Sequence, residues 1–197
     1  MHDVLSIGAL DSIALSGTQA DGWYLKQARE AMENGRIAYA GRYSTPDYET
    51  ILTADCGLAI ENTMIYHTPE VKEQLEQFGI PVLVERSSYE EDPLARMEWV
   101  KLYGLLLGKK EQAEQQFAEA EQRIAPLADQ PSTGKTVAFF SITSNGLATV
   151  RKGNDYVARM IEMAGGDYVF ADLTDNGNNL ATVNLSLENF LRRGEGC

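Results

Sequence analysis

Apolar residues come in two rhythms along this chain. Short continuous runs, at 37–40, 57–60 and 81–85, alternate with longer stretches in which apolar side chains recur every three or four residues. The short runs read as buried strands and the longer stretches as amphipathic helices. The helix starts carry a repeated mark, a capping residue followed by proline, at Thr45-Pro46, Thr68-Pro69 and Asp92-Pro93. Proline at the first helical position loses no hydrogen bond, and a side-chain oxygen before it satisfies an orphan N–H. The pattern therefore predicts strand Ile37–Ala40 with a helix from Thr45-Pro46 through Ala54. Strand Gly57–Ile60 follows, with a helix from Thr68-Pro69 through Phe78 closed by Gly79. Strand Pro81–Glu85 then leads to the helix at Asp92-Pro93. Ahead of these units the pattern predicts an apolar helical start (Val4, Leu5, Ile7, Leu10), a strand over Ser12–Ser16 and a helix over Trp23–Glu33 closed by Asn34-Gly35.

Ala113, Phe117, Ala120, Ile124 and Leu127 form one narrow stripe at steps of four, three, four and three, with Glu, Gln and Lys between them. That spacing predicts one continuous helix from Lys109 to Ala125, roughly 25 Å long at about 1.5 Å per residue. Pro126 ends it. Beyond a Pro131–Gly134 linker, apolar runs predict strands at Thr136–Ser141, Leu147–Val150 and Tyr168–Phe170. A turn at Thr143–Gly146 and a helix over Asn154–Ala164 lie between them, and Ser186 caps a final helix. Strands alternating with helices imply parallel crossover units. The expected fold class is α/β, with two small doubly wound lobes of mainly parallel sheet joined by a single long helix. The boundaries are 1–108 for the first lobe, 109–130 for the connecting helix and 131–197 for a second lobe that looks incomplete, because no strand follows its last helix.

In open parallel sheets ligands sit outside the carboxyl ends of the strands. The loops there are 41–44, 61–67 and 86–91. They hold Arg42, Tyr43, Asn62, Tyr66, His67, Arg86, Ser88 and Tyr89, a dense set of aromatic and cationic groups for an acidic chain. Each alone is an ordinary solvated loop residue; together they read as a ligand mouth.

Charge narrows the partners. The formal net charge is −12, with 29 acidic and 17 basic residues, which disfavours nucleic acid and direct attraction to an anionic membrane. Mean hydropathy is −0.28, and no apolar run approaches the ~20 residues of a membrane span. Cys56 and Cys197 are the two cysteines, and nothing in their placement suggests a structural disulfide. Gly134-Lys135-Thr136 fails as a phosphate loop because residue 129 is Asp and a strand, not a helix, follows. His2 and His67 are the only histidines, too few for a His-rich metal site, and no resident metal or cofactor is expected. One enzymatic reading stays open, an acid/base pair of Glu61 and His67. Another is an interaction protein that keeps only the scaffold.

Several segments, taken in order, carry a family resemblance. Gly41-Arg42-Tyr43-Ser44-Thr45-Pro46-Asp47-Tyr48-Glu49 is similar to a glycine, a short loop and a helix-opening glutamate. Phe78-Gly79-Ile80-Pro81-Val82 is a specific strand entry. Gly104–Gly108 followed by Ala113-Glu114 resembles the start of a joining helix. Met160–Gly166 resembles a helix ending in Ala-Gly-Gly, and Asn184–Glu188 a second glutamate segment. The chain resembles the substrate-binding proteins of ABC importers for iron complexes, haem and cobalamin. The resemblance implies a capture protein, not a catalyst. It would take a small-molecule metal chelate between two lobes and deliver it to the transmembrane permease subunits. Glu49 and Glu188 would be the permease-docking carboxylates. Arg42, Arg86 and Arg151 suit an anionic ferric chelate, while Tyr43, Tyr66 and Tyr89 suit stacking or phenolate ligation. The alternative cargo is a tetrapyrrole, haem or cobalamin, with Tyr66 or His67 as axial ligand. The resemblance also implies an extracytoplasmic lipoprotein whose anchor lies ahead of this sequence, and further strands and helices beyond its end.

Overall fold

The computed structural model describes residues 1–127, 130–174 and 181–194. The chain divides into two compact units. The first comprises Met1–Arg86 with Val100–Gln116, and the second Ser87–Trp99 with the chain from Phe117 onward. The expected strand–helix alternation is present in both, and the fold is α/β.

In the first unit α1 (His2–Ser6) precedes β1 (Leu15–Ser16), α2 (Lys26–Glu33) and β2 (Ala38–Tyr39). β1 and β2 pair in parallel. A hairpin then forms where a helix start was expected. β3 (Gly41–Arg42) and β4 (Thr45–Pro46) pair antiparallel, so Pro46 lies in a strand. Gly41 has φ +82°, and a Cβ there would meet the Thr45 carbonyl oxygen and the Asp47 nitrogen. Only glycine allows so tight a return. Asp47 takes over the capping role, accepting from the Thr50 N–H at 3.1 Å and the Thr50 hydroxyl at 2.7 Å, and α3 runs Tyr48–Thr53. β5 (Ala59–Asn62) runs two residues later than the expected Gly57–Ile60, so Glu61 and Asn62 lie in the strand and not in the loop; α4 (Pro69–Gln77) and β6 (Val82–Glu85) follow as expected, with β5 and β6 parallel. Ala40, Ile51, Ile65, Val71, Leu75 and Ile80 form the core, with Leu15, Ala59, Val82 and Val84 packed against it. The two parallel pairs thus share one apolar core without sharing a hydrogen-bonded sheet.

α5 (Pro93–Leu106) starts at the third marked proline, where the Asp92 carboxylate accepts from the Leu94 N–H at 2.7 Å. Gly108, at φ +67°, turns the chain into α6 (Lys110–Ile124), which ends one residue short of the expected Ala125. Gly104 and Ala113 touch so closely that a Cβ at Gly104 would overlap the Ala113 methyl.

In the second unit the expected strand 136–141 is two strands. β7 (Lys135–Val137) pairs in parallel with β10 (Gly166–Tyr168). β8 (Phe140–Ile142) pairs antiparallel with β9 (Ala148–Arg151). β9 also pairs antiparallel with β11 (Thr182–Leu185), a strand that the apolar pattern did not indicate. α7 (Tyr156–Met163) and α8 (Leu187–Arg193) complete the unit, capped by Asp155 and Ser186. The core joins Val150, Ala158, Tyr168, Phe170 and Leu185, with Phe190 against it. Cys56 is a free thiol, and Cys197 lies outside the described residues.

Candidate functional site

The register of β5 and β6 pairs Asn62 with Glu85. Both strands therefore end at one edge, and the segments that follow leave from it together. Residues Thr63–His67 form a 3-10 turn in which Asn62 Oδ1 accepts from the Met64 N–H at 2.8 Å. Ile65 is only 1% exposed and pins that turn to the core. Tyr66 and His67 beside it face solvent. Arg86 follows β6 directly and is also exposed. This edge brings Asn62, Tyr66, His67 and Arg86 together, although Asn62 already spends its oxygen on the cap.

Arg42 and Tyr43 sit on the separate β3–β4 hairpin, Arg42 exposed and Tyr43 half-buried. Ser88 and Tyr89 form a second 3-10 turn, are exposed, and group with the second unit, since the division falls between Arg86 and Ser87. Glu49 is the second residue of α3 and Glu188 the second residue of α8; both are exposed in a first helical turn. Glu49 also borders a shallow hollow of about 360 Å³ with Leu15, Arg36 and Ala38.

Glu61 lies on the less exposed side of β5, opposite Val84. Burial pushes its carboxyl above the usual range. No hydrogen bond or ion pair joins it to His67 among the described residues. An acid held protonated-leaning by desolvation costs stability when ionised. Between its ordinary and its raised value the folded state holds the proton more tightly, so falling pH relieves that cost. Replacing Glu61 with Gln should therefore raise the melting temperature at neutral pH and leave it nearly unchanged near pH 4. Melting curves of both proteins across that range check the sign.

The second unit holds a cluster that the sequence pattern did not reveal beyond Arg151. The Arg96 guanidinium lies 4.3 Å from the centre of the Tyr156 ring and the Arg151 guanidinium 6.0 Å from it. Arg151 reaches the buried Asp155 at 3.5 Å. Asp155 in turn caps α7 by accepting from the Val157 N–H at 3.0 Å. Lys152 is buried beside them. The Tyr168 hydroxyl donates to the Arg151 carbonyl at 2.9 Å, and burial, above all, pushes that phenol up to about 12. Asn154 donates to Glu91 at 2.8 Å. No group of three or more His, Cys, Asp or Glu that could hold a metal is present among the described residues, and no helix of those residues is long and apolar enough to cross a membrane.

Comparison with known proteins places the fold. The chain superposes on the periplasmic haem-binding protein HutB of Vibrio cholerae with a TM-score of 0.72 and 17% identity, covering 98% of this chain and 68% of that one. A possible iron-binding, periplasmic solute-binding protein of Staphylococcus epidermidis gives 0.70 and 14%, covering 97% and 69%. The fold is that of periplasmic solute-binding proteins. In sequence, the chain is 27% identical over 180 residues to an uncharacterized lipoprotein of Methanocaldococcus jannaschii. That alignment covers 88% of this chain and 41% of the relative, so the chain spans about two fifths of that protein's length. No family profile matches the sequence.

Proposed function

We propose that this chain is the solute-binding component of an ABC importer, extracytoplasmic, whose cargo is an iron-siderophore-type metal chelate. The observation that carries the reading is the fold, shared over nearly the whole chain with proteins described as haem-binding and iron-binding. The loop edge after β5 and β6 supports it, because Arg86, Tyr66 and His67 stand there exposed. A guanidinium fork takes carboxylate or catecholate oxygens in pairs, and phenol rings offer a stacking face. Arg42, Tyr43, Asn62, Ser88, Tyr89 and Arg151 belong to the same proposed ligand set. The connecting role of the 109–130 segment, with 1–108 and 131–197 as the lobes, is part of the same reading. The second reading is a tetrapyrrole cargo, favoured by Tyr66 and His67 being adjacent and exposed on one anchored turn.

Titration with a ferric catecholate and with haem, read by visible absorbance, tests the choice. Catecholate binding weakened by both Arg42→Ala and Arg86→Ala supports the chelate. Haem binding that survives both and is lost on Tyr66→Phe supports the tetrapyrrole. Absence of binding to either sinks the assignment for this chain.

Glu49 and Glu188 are proposed to dock on permease cations. A carboxylate in a first helical turn is already favoured by the helix dipole, so the docking role needs its own test. Glu49→Ala and Glu188→Ala should each change fold stability by less than about 0.5 kcal/mol. Each should also lower ligand-stimulated ATP hydrolysis by the cognate transporter in proteoliposomes. Unchanged hydrolysis in both variants removes the docking role.

A further inference from the structure

We propose that the second unit carries an oxyanion-binding clamp, made by Arg96 and Arg151, whose guanidinium groups both lie within about 6 Å of the Tyr156 ring centre. It shares Arg151 with the ligand set proposed above, but it rests on the pairing of Arg151 with Arg96 and is tested with iron-free anions, so its failure and the failure of the chelate reading are distinguishable.

Arg96 projects from α5 and Tyr156 opens α7, so the 4.3 Å contact joins two helices through a guanidinium on a ring face. Such stacking covers one face of the guanidinium and leaves its N–H edge to other partners. Arg96 is half-buried and makes no ion pair with a carboxylate among the described residues. Partial burial without a counter-charge is costly, and an incoming anion removes that cost. Arg151 is similarly under-used. Its one carboxylate contact is a single 3.5 Å approach to Asp155, against the two short bonds of a paired fork. Asp155 is itself engaged with the Val157 N–H. Arg193 in the same unit shows the contrast, reaching both oxygens of Asp172 at 2.7 and 2.8 Å.

Asp155 reaches Arg151 through one oxygen and caps α7 through the other, and Glu91 accepts from Asn154. Two guanidinium forks beside one ring suit a multi-oxygen anion, either the carboxylates of a polycarboxylic acid or a phosphate. The two sources share one chemistry and differ in shape, and the test separates them.

The full chain is titrated calorimetrically with citrate and with inorganic phosphate at low ionic strength. The same titrations are run on Arg96→Gln, Arg151→Gln and Tyr156→Phe. Binding of either anion is expected to fall at least about tenfold with each arginine replacement, the loss of one charge-assisted fork. It should persist in Tyr156→Phe, which keeps the ring. The tighter of the two anions names the class. If Arg96→Gln fails to fold, Arg96→Lys keeps the charge without the fork and is expected to fold and still bind weakly. Binding of neither anion by the unaltered chain overturns the clamp, as does binding that survives both arginine replacements. A loss confined to one of the two arginines also overturns it, because a single surface cation would explain that result.

Discussion

Replacing Phe170 with Ala should lower the stability of the second unit by about 3–5 kcal/mol, the usual cost of removing a buried aromatic ring. Phe170 is completely buried although it lies outside any strand, in the turn after β10. Its ring meets Tyr168 edge-on at 5.7 Å and stacks on Phe190 at 5.6 Å. Phe190 in turn contacts Phe140 at 4.5 Å. Phe170 thus joins β10 to α8, and Phe190 carries the contact on to β8, so the surroundings are too diverse in origin to collapse into the gap together. Urea unfolding in a Trp23→Phe background, which leaves Trp99 of the same unit as the fluorophore, measures the loss. A cost below about 1 kcal/mol would mean that the three rings are not a joint support.

Gly153→Ala should be nearly as damaging, for the opposite reason. A Cβ at Gly153 would overlap the carbonyl oxygen, carbonyl carbon and Cα of Ala171. These are backbone atoms, so no side chain can rotate away. The Gly153 N–H also donates to the Leu173 carbonyl at 2.8 Å, which ties the two strands of chain at the point of collision. Overpacking of this kind costs about 1–3 kcal/mol and more where backbone must move. The displaced loop runs from Arg151, the last residue of β9, to Asp155, the cap of α7, so anion binding by the clamp should fall along with stability. The contrast is Gly108→Ala. That site is open, its cost comes from the left-handed φ of +67°, and it should leave the clamp untouched. Parallel melts and citrate titrations of the two variants separate collision from backbone conformation.

Much of the fold was legible where the cue is local. Asp92-Pro93 opens a helix because the carboxylate and the ring act within one turn, and Pro69 opens another, although the expected cap from Thr68 is not made by its hydroxyl. Thr45-Pro46 carries the same letters and fails. Gly41 folds the chain back before the helix, and the carboxylate two residues past Thr45 makes the better cap. A cap-plus-proline pair states that a helix is permitted, and Asp47 with Thr50 states where it begins. The run 136–141 looked like one strand because apolar character says nothing of partners. Its two halves pair with strands from different stretches of chain. β11 was invisible for the same reason, since its partner β9 supplies the pairing that Thr182–Leu185 does not announce.

The candidate site divides along the same line. The loops after β5 and β6 followed from strand order, and the structure ends both strands at one edge. Arg96 and Tyr156 did not follow from anything local. One sits within a dense apolar helix and the other at a helix start, and only the packing of α5 against α7 makes them a pair.

The chain passes from one compact unit to the other at three points, after Arg86, after Trp99 and after Gln116. Neither unit is therefore a cassette. A fragment ended at Arg86 would lack 100–116, which supplies the buried Val100, Tyr103 and Ala113. A fragment begun at Phe117 would lack Arg96, half of the clamp, and Trp99, whose indole N–H reaches Glu90 at 3.0 Å. Grafting one specificity onto another scaffold would thus require three junctions, two of them inside helices, and a gene fused at a single point would inherit a lobe missing one of its own walls.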